Sequence, residues 1–420
     1  MKRVALVLLG LVACRREAPA PTAVSTTALE SAVVVTPFAP APTPLRVLVG
    51  GDLIPHRPAL LEPASLERAL APLHPLFSGA DAVVANYETA TGEVEKKAFR
   101  LSYAAPPAWL GALPGAGIGA VSVANNHACD LGHDGVGATL DAAKAAGVTA
   151  LGGDAKGDAW APRTLVERDG KRVCAVAWTT LVNAEGGCAR TTRLAIASEN
   201  ASGRQKIAAA LQRARNECDA TVAIVHGGEE YAAQTSSMIV MAKQAAEAGA
   251  DAVVIHHPHI ASPVTVHPTR DGRSIPIFAS VGNLVSNQGE SWKAPMFPVL
   301  RENRRLVCVN AWTRLGVVAD LSFALDGAAP RLDWGYHLVW TDNEHADDRS
   351  KAAPAITTRL VDPAADSALL AKLREDERGP SALFDDACWR ERGSDDATRC
   401  STSLLRTAKE APKHVRRSRR

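Results

Sequence analysis

Side chains that can bind metals or transfer protons are crowded into one short stretch, VSVANNHACDLGHDG (121–135). It begins with an apolar alternation typical of a buried strand and then turns abruptly polar. An amide and an imidazole at the end of a buried strand cost stability unless they are bonded. The polar members of the stretch are Asn125, Asn126, His127, Asp130, His133 and Asp134.

Similar polar clusters follow four other apolar runs. Their members are Asp52 and His56, then Asn86 and Glu88, then His226 and Glu229, and finally His256, His257 and His259. In open α/β sheets the carboxyl ends of the strands line the ligand crevice. We therefore expect the five segments to meet in one shared site.

These side chains form a mixed ligand set of histidine nitrogens, carboxylates and an amide oxygen. Such a set suits Zn, Mn, Fe or Ni better than Ca or Mg alone. We expect one or two divalent transition-metal ions, which would lower the pKa of bound water and polarise a phosphoryl or carbonyl oxygen. The chemistry predicted from the residues is metal-assisted hydrolysis.

The polar clusters must be positioned by the elements around them, and those elements alternate. Helices are predicted over 134–146, 202–217 and 235–248, the last capped by Thr235, and Ser65 is expected to cap a shorter one. Apolar strand patterns stand between them. This alternation, with extra hairpins, favours an α/β fold built on mixed sheets.

Composition places the chain among soluble globular proteins. Of its 420 residues, 46% are hydrophobic and 22% are charged. The formal net charge is only +2, which provides no electrostatic footprint for nucleic acid. We expect no nucleic-acid partner.

The N-terminus predicts export and a lipid anchor. Lys2 and Arg3 precede the apolar run 4–13, which is too short to span a bilayer but suits a signal peptide. Leu11-Val12-Ala13-Cys14 resembles the lipobox of bacterial lipoproteins, which implies lipidation of Cys14. An ordinary secretory signal with an incidental cysteine is the alternative.

Four regions follow from these patterns. Residues 1–14 are the predicted signal peptide, and 15–44 form a Pro/Ala-rich tether. A core domain is predicted over 45–340 and a polar extension over 341–420. The expected location is the bacterial cell envelope, at the outer face of the cytoplasmic membrane or at the outer membrane.

Seven cysteines remain beyond Cys14, in a compartment expected to be oxidising. Cys388 and Cys400 lie in a segment with little core of its own, and we predict a disulfide between them. Cys129 is expected to be the unpaired one. The remaining cysteines can supply further pairs of unassigned connectivity; they are Cys174, Cys188, Cys218 and Cys308.

Six motifs taken in order resemble the signatures of the CapA family, which is named for poly-γ-glutamate capsule synthesis. They are VGGDLIPHR, VVANYETATG, VSVANNHACDLGHDGVGATLDAAKAAGV, IVHGGEEY, GADAVVIHHPHI and FASVGNLVSNQ, and the resemblance covers about 45–325. CapA-like domains are in turn similar to calcineurin-like metallophosphoesterases. The resemblance implies a four-layer α/β/β/α sandwich of the metallophosphoesterase type, with a dinuclear metal centre at the strand ends.

The resemblance also implies roles for particular residues. Glu88 stands where a metal-bridging acid lies, His127 would contact the substrate, and His127 and Asp130 are the candidate catalytic residues. The first motif is usually Asp-x-His, but residue 54 is isoleucine, so His56 is a further candidate ligand. The implied metal ligands are Asp52, Glu88, Asn126, His226, His257 and His259.

Two functions remain open at this point. One is a CapA-like envelope lipoprotein that hydrolyses phosphoester or amide bonds during synthesis of poly-γ-glutamate or another envelope polymer. The other is a non-catalytic accessory for assembly or export of an anionic capsule polymer. The expected partners are an envelope polymer or phosphorylated small substrate, the membrane through the lipid anchor, and capsule-synthesis membrane proteins.

Overall fold

A computed structural model describes most of the chain beyond the tether. The described residues are 43–55, 60–93, 103–183, 188, 191–232, 234–300, 304–326, 330–343, 355–391 and 400–404. They belong to one compact unit, 42–420. The predicted lipidation site Cys14 and the candidate ligand His56 lie outside the described residues.

Strands and helices alternate through the described part of the chain. Its strands are β1 (Leu45–Leu53), β2 (Ala82–Tyr87), β3 (Ala90–Thr91), β4 (Ala104–Ala105), β5 (Ala120–Ser122), β6 (Thr149–Leu151), β7 (Arg163–Arg168), β8 (Lys171–Thr179), β9 (Ala220–His226), β10 (Ala252–His256), β11 (Val264–Pro268), β12 (Ser274–Phe278), β13 (Asn283–Val285), β14 (Leu315–Ala324), β15 (Arg331–Asn343), β16 (Ile356–Leu360) and β17 (Ser401–Ser403). Its α-helices are α1 (Pro63–Leu70), α2 (His74–Phe77), α3 (Pro107–Gly111), α4 (Gly132–Ala145), α5 (Ala201–Glu217), α6 (Ser236–Ala248) and α7 (Ser367–Arg374). None of these described helices has the length and apolar character needed to cross a bilayer.

The strands form two main sheets, both of mixed direction. The large sheet has the order β16–β15–β14–β1–β2–β5–β6, with β13 beside β1 and β17 beside β15. The second sheet has the order β11–β12–β10–β9–β8–β7. β1, β2, β5 and β6 run parallel in the large sheet, as do β8, β9, β10 and β12 in the second.

The two sheets pack face to face, and helices cover their outer faces. Along β1, Val47 and Val49 join the core between the sheets, whereas Leu48 packs in the outer core with α1, α3 and α4. Along β9, Val222 and Ile224 point to the inner core, and the residues between them pack with α5 and α6. Strands that are buried on both faces have continuous apolar sequences, as these two strands do. The predicted four-layer α/β/β/α sandwich is confirmed.

Helix starts follow local sequence rules, with one error in our prediction. Thr235 caps α6 as expected, because its side chain accepts a hydrogen bond from the backbone N–H of Met238. Ser65 was the wrong choice for α1, which begins at Pro63 after Glu62. Proline suits the first helical position since its missing N–H has no intrahelical acceptor there.

The disulfides confirm one cysteine prediction and overturn another. Cys388 and Cys400 are paired, as predicted. The expectation that Cys129 is unpaired is wrong, because Cys129 is bonded to Cys188, and Cys308 is the free cysteine among the described residues. The third pair joins Cys174 to Cys218. Cys129 and Cys188 are 59 positions apart, so only the folded chain brings them together.

Residues beyond 340 contribute to the same core. β15 crosses that position, and both β16 and β17 pair with it. Leu370 and Leu373 of α7 pack into the core between the sheets. The predicted boundary between a core domain and an extension stays a prediction.

A buried charge cluster joins three strands of the large sheet and makes a stability prediction. Arg46 donates to both carboxylate oxygens of Asp320, at 3.0 and 2.7 Å, and His337 Nε2 lies 3.0 Å from Oδ2. Burial raises the pKa of the Asp320 carboxyl, but these hydrogen bonds and the Arg46 charge outweigh it and hold the pKa well below its usual value. Asp320→Asn should therefore lower the free energy of unfolding at pH 7 by about 3 kcal/mol, as breaking a buried ion pair does.

The pH dependence of this effect has a definite sign. A carboxyl whose pKa is lowered by folding stabilises the protein above its unfolded pKa, near 3.9, and loses that contribution as pH falls further. Urea titrations at pH 7 and pH 3 should show the two proteins converging at low pH. The matched control is Asp385→Asn, which removes the partner of Arg374 in an exposed pair and should have little effect. Equal effects of the two substitutions would contradict the prediction.

Candidate metal centre

Three polar residues lie side by side in parallel strands of the large sheet, two of them near carboxyl ends and the third at the start of β13. Asp52 of β1 is in register with Asn86 of β2 on one side and with Asn283 of β13 on the other. The Asn86 amide donates to Asp52 Oδ1 at 2.8 Å. All three are buried. Parallel pairing thus places a carboxylate between two amides.

The second sheet presents a matching row from the opposite side. His226 of β9 is in register with Thr179 of β8 and His256 of β10. His226 Nδ1 lies 3.1 Å from the Asn86 amide nitrogen, so the two rows touch across the sandwich. The strand ends of both sheets therefore line one site, as the sequence predicted.

A tight strand end brings Asp52 into this site. The pairing of β1 with β2 shifts register between Val49 and Asp52, where two glycines stand. At Gly51 a Cβ would lie 2.1 Å from the carbonyl oxygen of Gly282, so no other residue is accommodated there. His256 Nε2 lies 2.9 Å from the carbonyl oxygen of Gly50 and ties the bulge to the second sheet.

The His257-Pro258-His259 turn has an unusual backbone. His257 has φ 102° and His259 has φ 59°, in the left-handed region that disfavours residues other than glycine. Such conformations cost of order 1–3 kcal/mol each and persist where the surrounding structure holds them. Here His259 Nδ1 lies 3.1 Å from Asp52 Oδ2 and 3.1 Å from Asn283 Oδ1. These contacts hold the strained backbone, which turns both imidazoles into the site.

Three overlapping groups of ligand atoms result, each with its atoms within 4.8 Å of one another. Glu88 belongs to two of them, and Asn126 Oδ1 extends the cluster because it lies 2.9 Å from His226 Nε2. The groups, found among the described residues, are Asp52 with Glu88 and His259, Glu88 with His226 and His257, and Glu230 with His257 and His259. The structure thus brings all six predicted ligands together, and these buried groups can hold a metal ion.

The surroundings of the Glu88 side chain indicate whether a cation fits this site. Both of its carboxylate oxygens are buried and have no hydrogen-bond partner among the described residues. His226 Nε2 and His259 Nε2 each lie 3.7 Å from Glu88 Oε1, too far for a hydrogen bond. Ligands bound at about 2.1 Å to one ion are roughly 3.0–3.4 Å apart, so these atoms need to approach by only a few tenths of an ångström to share an ion. The residues present therefore fit a divalent cation.

The charges of the cluster agree with that fit. Burial, and next the neighbouring Asp52 carboxylate, raises the pKa of Glu88 well above its ordinary value. Asp52 is also buried, but its hydrogen bond and charge interaction with His259 hold its pKa below the usual range. Burial and the nearby imidazoles keep the pKa of His226 well below normal, so it is present as the neutral imidazole that metals require.

His127 and Asp130, the predicted catalytic residues, are in direct contact beside the cluster. His127 Nδ1 lies 2.6 Å from Asp130 Oδ2, and the backbone N–H of Tyr103 donates to the same oxygen at 2.6 Å. The Tyr103 ring packs edge-on at 4.4 Å between centroids. Among the described residues, the polar contacts of the His127 ring, with Asp130 and with the Asn183 amide, both lie at Nδ1, so Nε2 is the nitrogen available to a reacting group.

The sequence prediction of residues beside the metal cluster contained one wrong acid and left some residues out. It singled out Glu229, which is exposed, whereas Glu230 lies beside His257 and His259. The adjacent acids look alike in sequence, and only the backbone, with Gly228 at φ 112°, decides between them. Asn283 was also missed, because it begins β13 and does not follow an apolar strand as the other site residues do. His133 and Asp134 are exposed in the first turn of α4 and lie outside the cluster.

The sandwich and its buried ligand groups define a metallophosphoesterase-like protein. The chain belongs to the family described as bacterial capsule synthesis protein PGA_cap, whose profile matches residues 46–288. It is 29% identical over 222 residues to the capsule biosynthesis protein CapA of Bacillus anthracis, a match that covers 51% of this chain and 53% of that relative. The chain therefore spans about half the length of this curated relative. The resemblance to the CapA family is confirmed, and the matched range contains every predicted ligand.

Proposed function

We propose that this protein is a metal-dependent hydrolase of the phosphoesterase type that acts in capsule or envelope polymer synthesis. The observation that carries the proposal is Glu88, a buried carboxylate without hydrogen-bond partners and surrounded by histidines, beside the His127–Asp130 pair. A cluster that served only to stabilise the fold would leave no carboxyl in this state, since a buried polar group without a hydrogen-bond partner is costly whether it is charged or neutral.

The ligands and the catalytic pair have separate roles in the proposed mechanism. Asp52, Glu88, Asn126, His226, His257 and His259 would hold one or two divalent ions such as Mn, Fe, Zn or Ni, with Glu230 beside them. When bound, these ions supply polarisation of the phosphoryl oxygen of the substrate. The chain itself orients the substrate and excludes water from the buried side of the cluster.

His127 supplies the proton in this mechanism. Asp130 accepts the hydrogen bond from Nδ1–H, which fixes the tautomer and the orientation of the ring. Protonated at Nε2, His127 donates to the leaving-group oxygen as the ester bond breaks, while a water molecule adds to the phosphorus and loses its proton to solvent. The substrate in this proposal is a phosphoester of an envelope polymer or of a small phosphorylated precursor.

Metal content and phosphoester cleavage test the proposal together. The purified protein, loaded in turn with Mn, Fe, Zn or Ni, should retain at least one ion per chain by mass spectrometry of the metals. It should then hydrolyse bis(p-nitrophenyl) phosphate or p-nitrophenyl phosphate, and chelation should abolish turnover. The matched control is His133→Ala, an exposed histidine outside the cluster, which should change neither result.

Two outcomes would overturn the hydrolase. A protein that binds no ion at neutral pH contradicts the metal centre itself. A protein that binds ions but cleaves neither probe nor phosphorylated envelope material contradicts the catalytic proposal. In either case the accessory role in assembly or export of an anionic polymer replaces it.

The cellular setting is proposed from the N-terminus. Lipidation of Cys14 would anchor the protein at the envelope, near membrane proteins that synthesise or export capsule polymer. Cys14→Ser should move the protein from the membrane fraction to the soluble fraction or the medium. The control is Cys308→Ser, which removes the free thiol of the folded unit and should leave localisation unchanged. If the Cys14 variant still fractionates with membranes, the lipid anchor is wrong.

A further inference from the structure

A second chain segment reaches His127 from the other sheet. It leaves β8 after Thr179, which is in register with His226, and passes beside the loop that follows β5. The backbone N–H of Asn183 donates to the carbonyl oxygen of Asn126 at 2.9 Å. The Asn183 side-chain amide nitrogen lies 3.4 Å from His127 Nδ1 and supports the ring by contact, because Nδ1–H is donated to Asp130. We call residues 180–183 the strap.

A disulfide makes a second tie to the same loop. Cys188 is bonded to Cys129, and both are fully buried. Cys129 stands two positions after His127 and directly before Asp130. The covalent tie therefore enters the loop between the two predicted catalytic residues.

The loop that carries His127 and Asp130 is tied to the sheets at its start, where the Asn125 amide donates to the Tyr87 carbonyl oxygen at 2.7 Å. Residues 125–131 form turns, closed by bonds such as Asp130 N–H to the His127 carbonyl oxygen at 3.1 Å. His127 and Asp130 lie in this same loop, so the contact between them does not hold the ring relative to the metal cluster. Contacts from outside the loop, among them those of Asn183 and the disulfide, must do so.

We propose that the strap positions His127 for catalysis. Asn183 is the positioning residue, and the Cys129–Cys188 disulfide holds the loop between His127 and Asp130. This inference rests on the proposed function, since it takes His127 to act on the substrate. It assigns a role to a residue and a disulfide that the metal ligands do not include.

Kinetics of the metal-loaded full chain with an alkyl phosphate ester such as glycerol 3-phosphate tests the assignment, because its leaving group needs the proton that His127 supplies. Asn183→Ala should lower kcat about 10-fold, because small misplacement of a catalytic group is costly, and should leave KM and metal content unchanged. Cys129→Ala/Cys188→Ala should lower kcat at least as much. Asn183→Gln, which retains the amide, should recover part of the loss.

The chain offers a matched control in its other internal disulfide. Cys174 and Cys218 close a loop of similar length, 44 against 59 positions, and lie toward the amino-terminal end of β9, away from His226. Cys174→Ala/Cys218→Ala should keep kcat within about twofold of the parent, since it loses a comparable crosslink but no contact with the loop. An equal fall in kcat in both double variants would show a general effect of disulfide loss and overturn the proposal.

Hydrogen exchange supplies a readout that does not need turnover. Amides of residues 125–131 should exchange about fivefold faster in Cys129→Ala/Cys188→Ala and in Asn183→Ala, and at the parental rate in the control. If the parent shows no hydrolysis, the proposed function fails. The hydrogen-exchange rates of residues 125–131 then decide by themselves whether the strap supports the loop. Unchanged exchange in this loop overturns the positioning role, as does a loss of metal that accompanies the loss of turnover.

Discussion

Glu88→Gln is expected to lower metal affinity at least about 100-fold and, in the metal-free protein, to raise stability. Glutamine has nearly the same shape but no charge, so it replaces a strong anionic ligand by a weak neutral one. Loss of residues that merely support a ligand already costs 10–100-fold, so loss of a ligand shared by two groups should cost more. Isothermal titration with Mn or Zn measures the first effect.

The second effect follows from the pKa of the same carboxyl. Burial and the nearby Asp52 raise the pKa of Glu88 in the folded protein. A carboxyl with a raised folded pKa stabilises the protein below its unfolded pKa, near 4.3, and loses that contribution as pH rises. The melting temperature of the metal-free parent should therefore drop below that of the metal-free variant as pH increases from about 4.5 to 7.

Glu229→Gln is the matched control for both effects. Glu229 is exposed near the same cluster, so its substitution removes an equal charge without emptying a ligand position. It should leave both the affinity and the metal-free melting temperature close to those of the parent. Unchanged affinity in Glu88→Gln, or a metal-free variant less stable than the parent at pH 7, would contradict the assignment of Glu88.

His127→Ala is expected to separate catalysis from metal binding. Its imidazole belongs to none of the ligand groups found among the described residues, and its Nδ1 is held by Asp130. General acid catalysis contributes typically 10²–10⁴-fold, so kcat should fall by about that factor while the ion content stays at the parental value. His257→Ala should lose both, because that imidazole is common to two ligand groups.

Metal analysis and steady-state kinetics on the same preparations distinguish these results. A leaving group with a low pKa needs no proton, so the defect of His127→Ala should be smaller with p-nitrophenyl esters than with alkyl esters. Asp130→Asn should show a weaker version of the same defect, since it retains the shape of the partner but not its charge. Loss of the ion in His127→Ala would make His127 a ligand and contradict its catalytic role.

The sequence determined the parts of this protein that depend on neighbouring residues. Thr235 caps α6, and the Asp169-Gly170 pair turns β7 into β8 with φ values of 53° and 74°. Apolar strands with polar carboxyl ends predicted a shared site, because parallel strands place such ends along one edge. The six ligands followed from that pattern and from the family motifs.

The tertiary structure decided what depends on residues far apart in the chain. Three features of the site depend on contacts between segments that are distant in sequence. They are the place of Glu230, and not Glu229, beside His257 and His259, the bond from Cys129 to Cys188, and the approach of Asn183 to His127. Local patterns determine which face of a strand is buried, but not which distant side chain meets it. That contact depends on how two sheets twist and pack against each other, and this packing is a property of the whole fold.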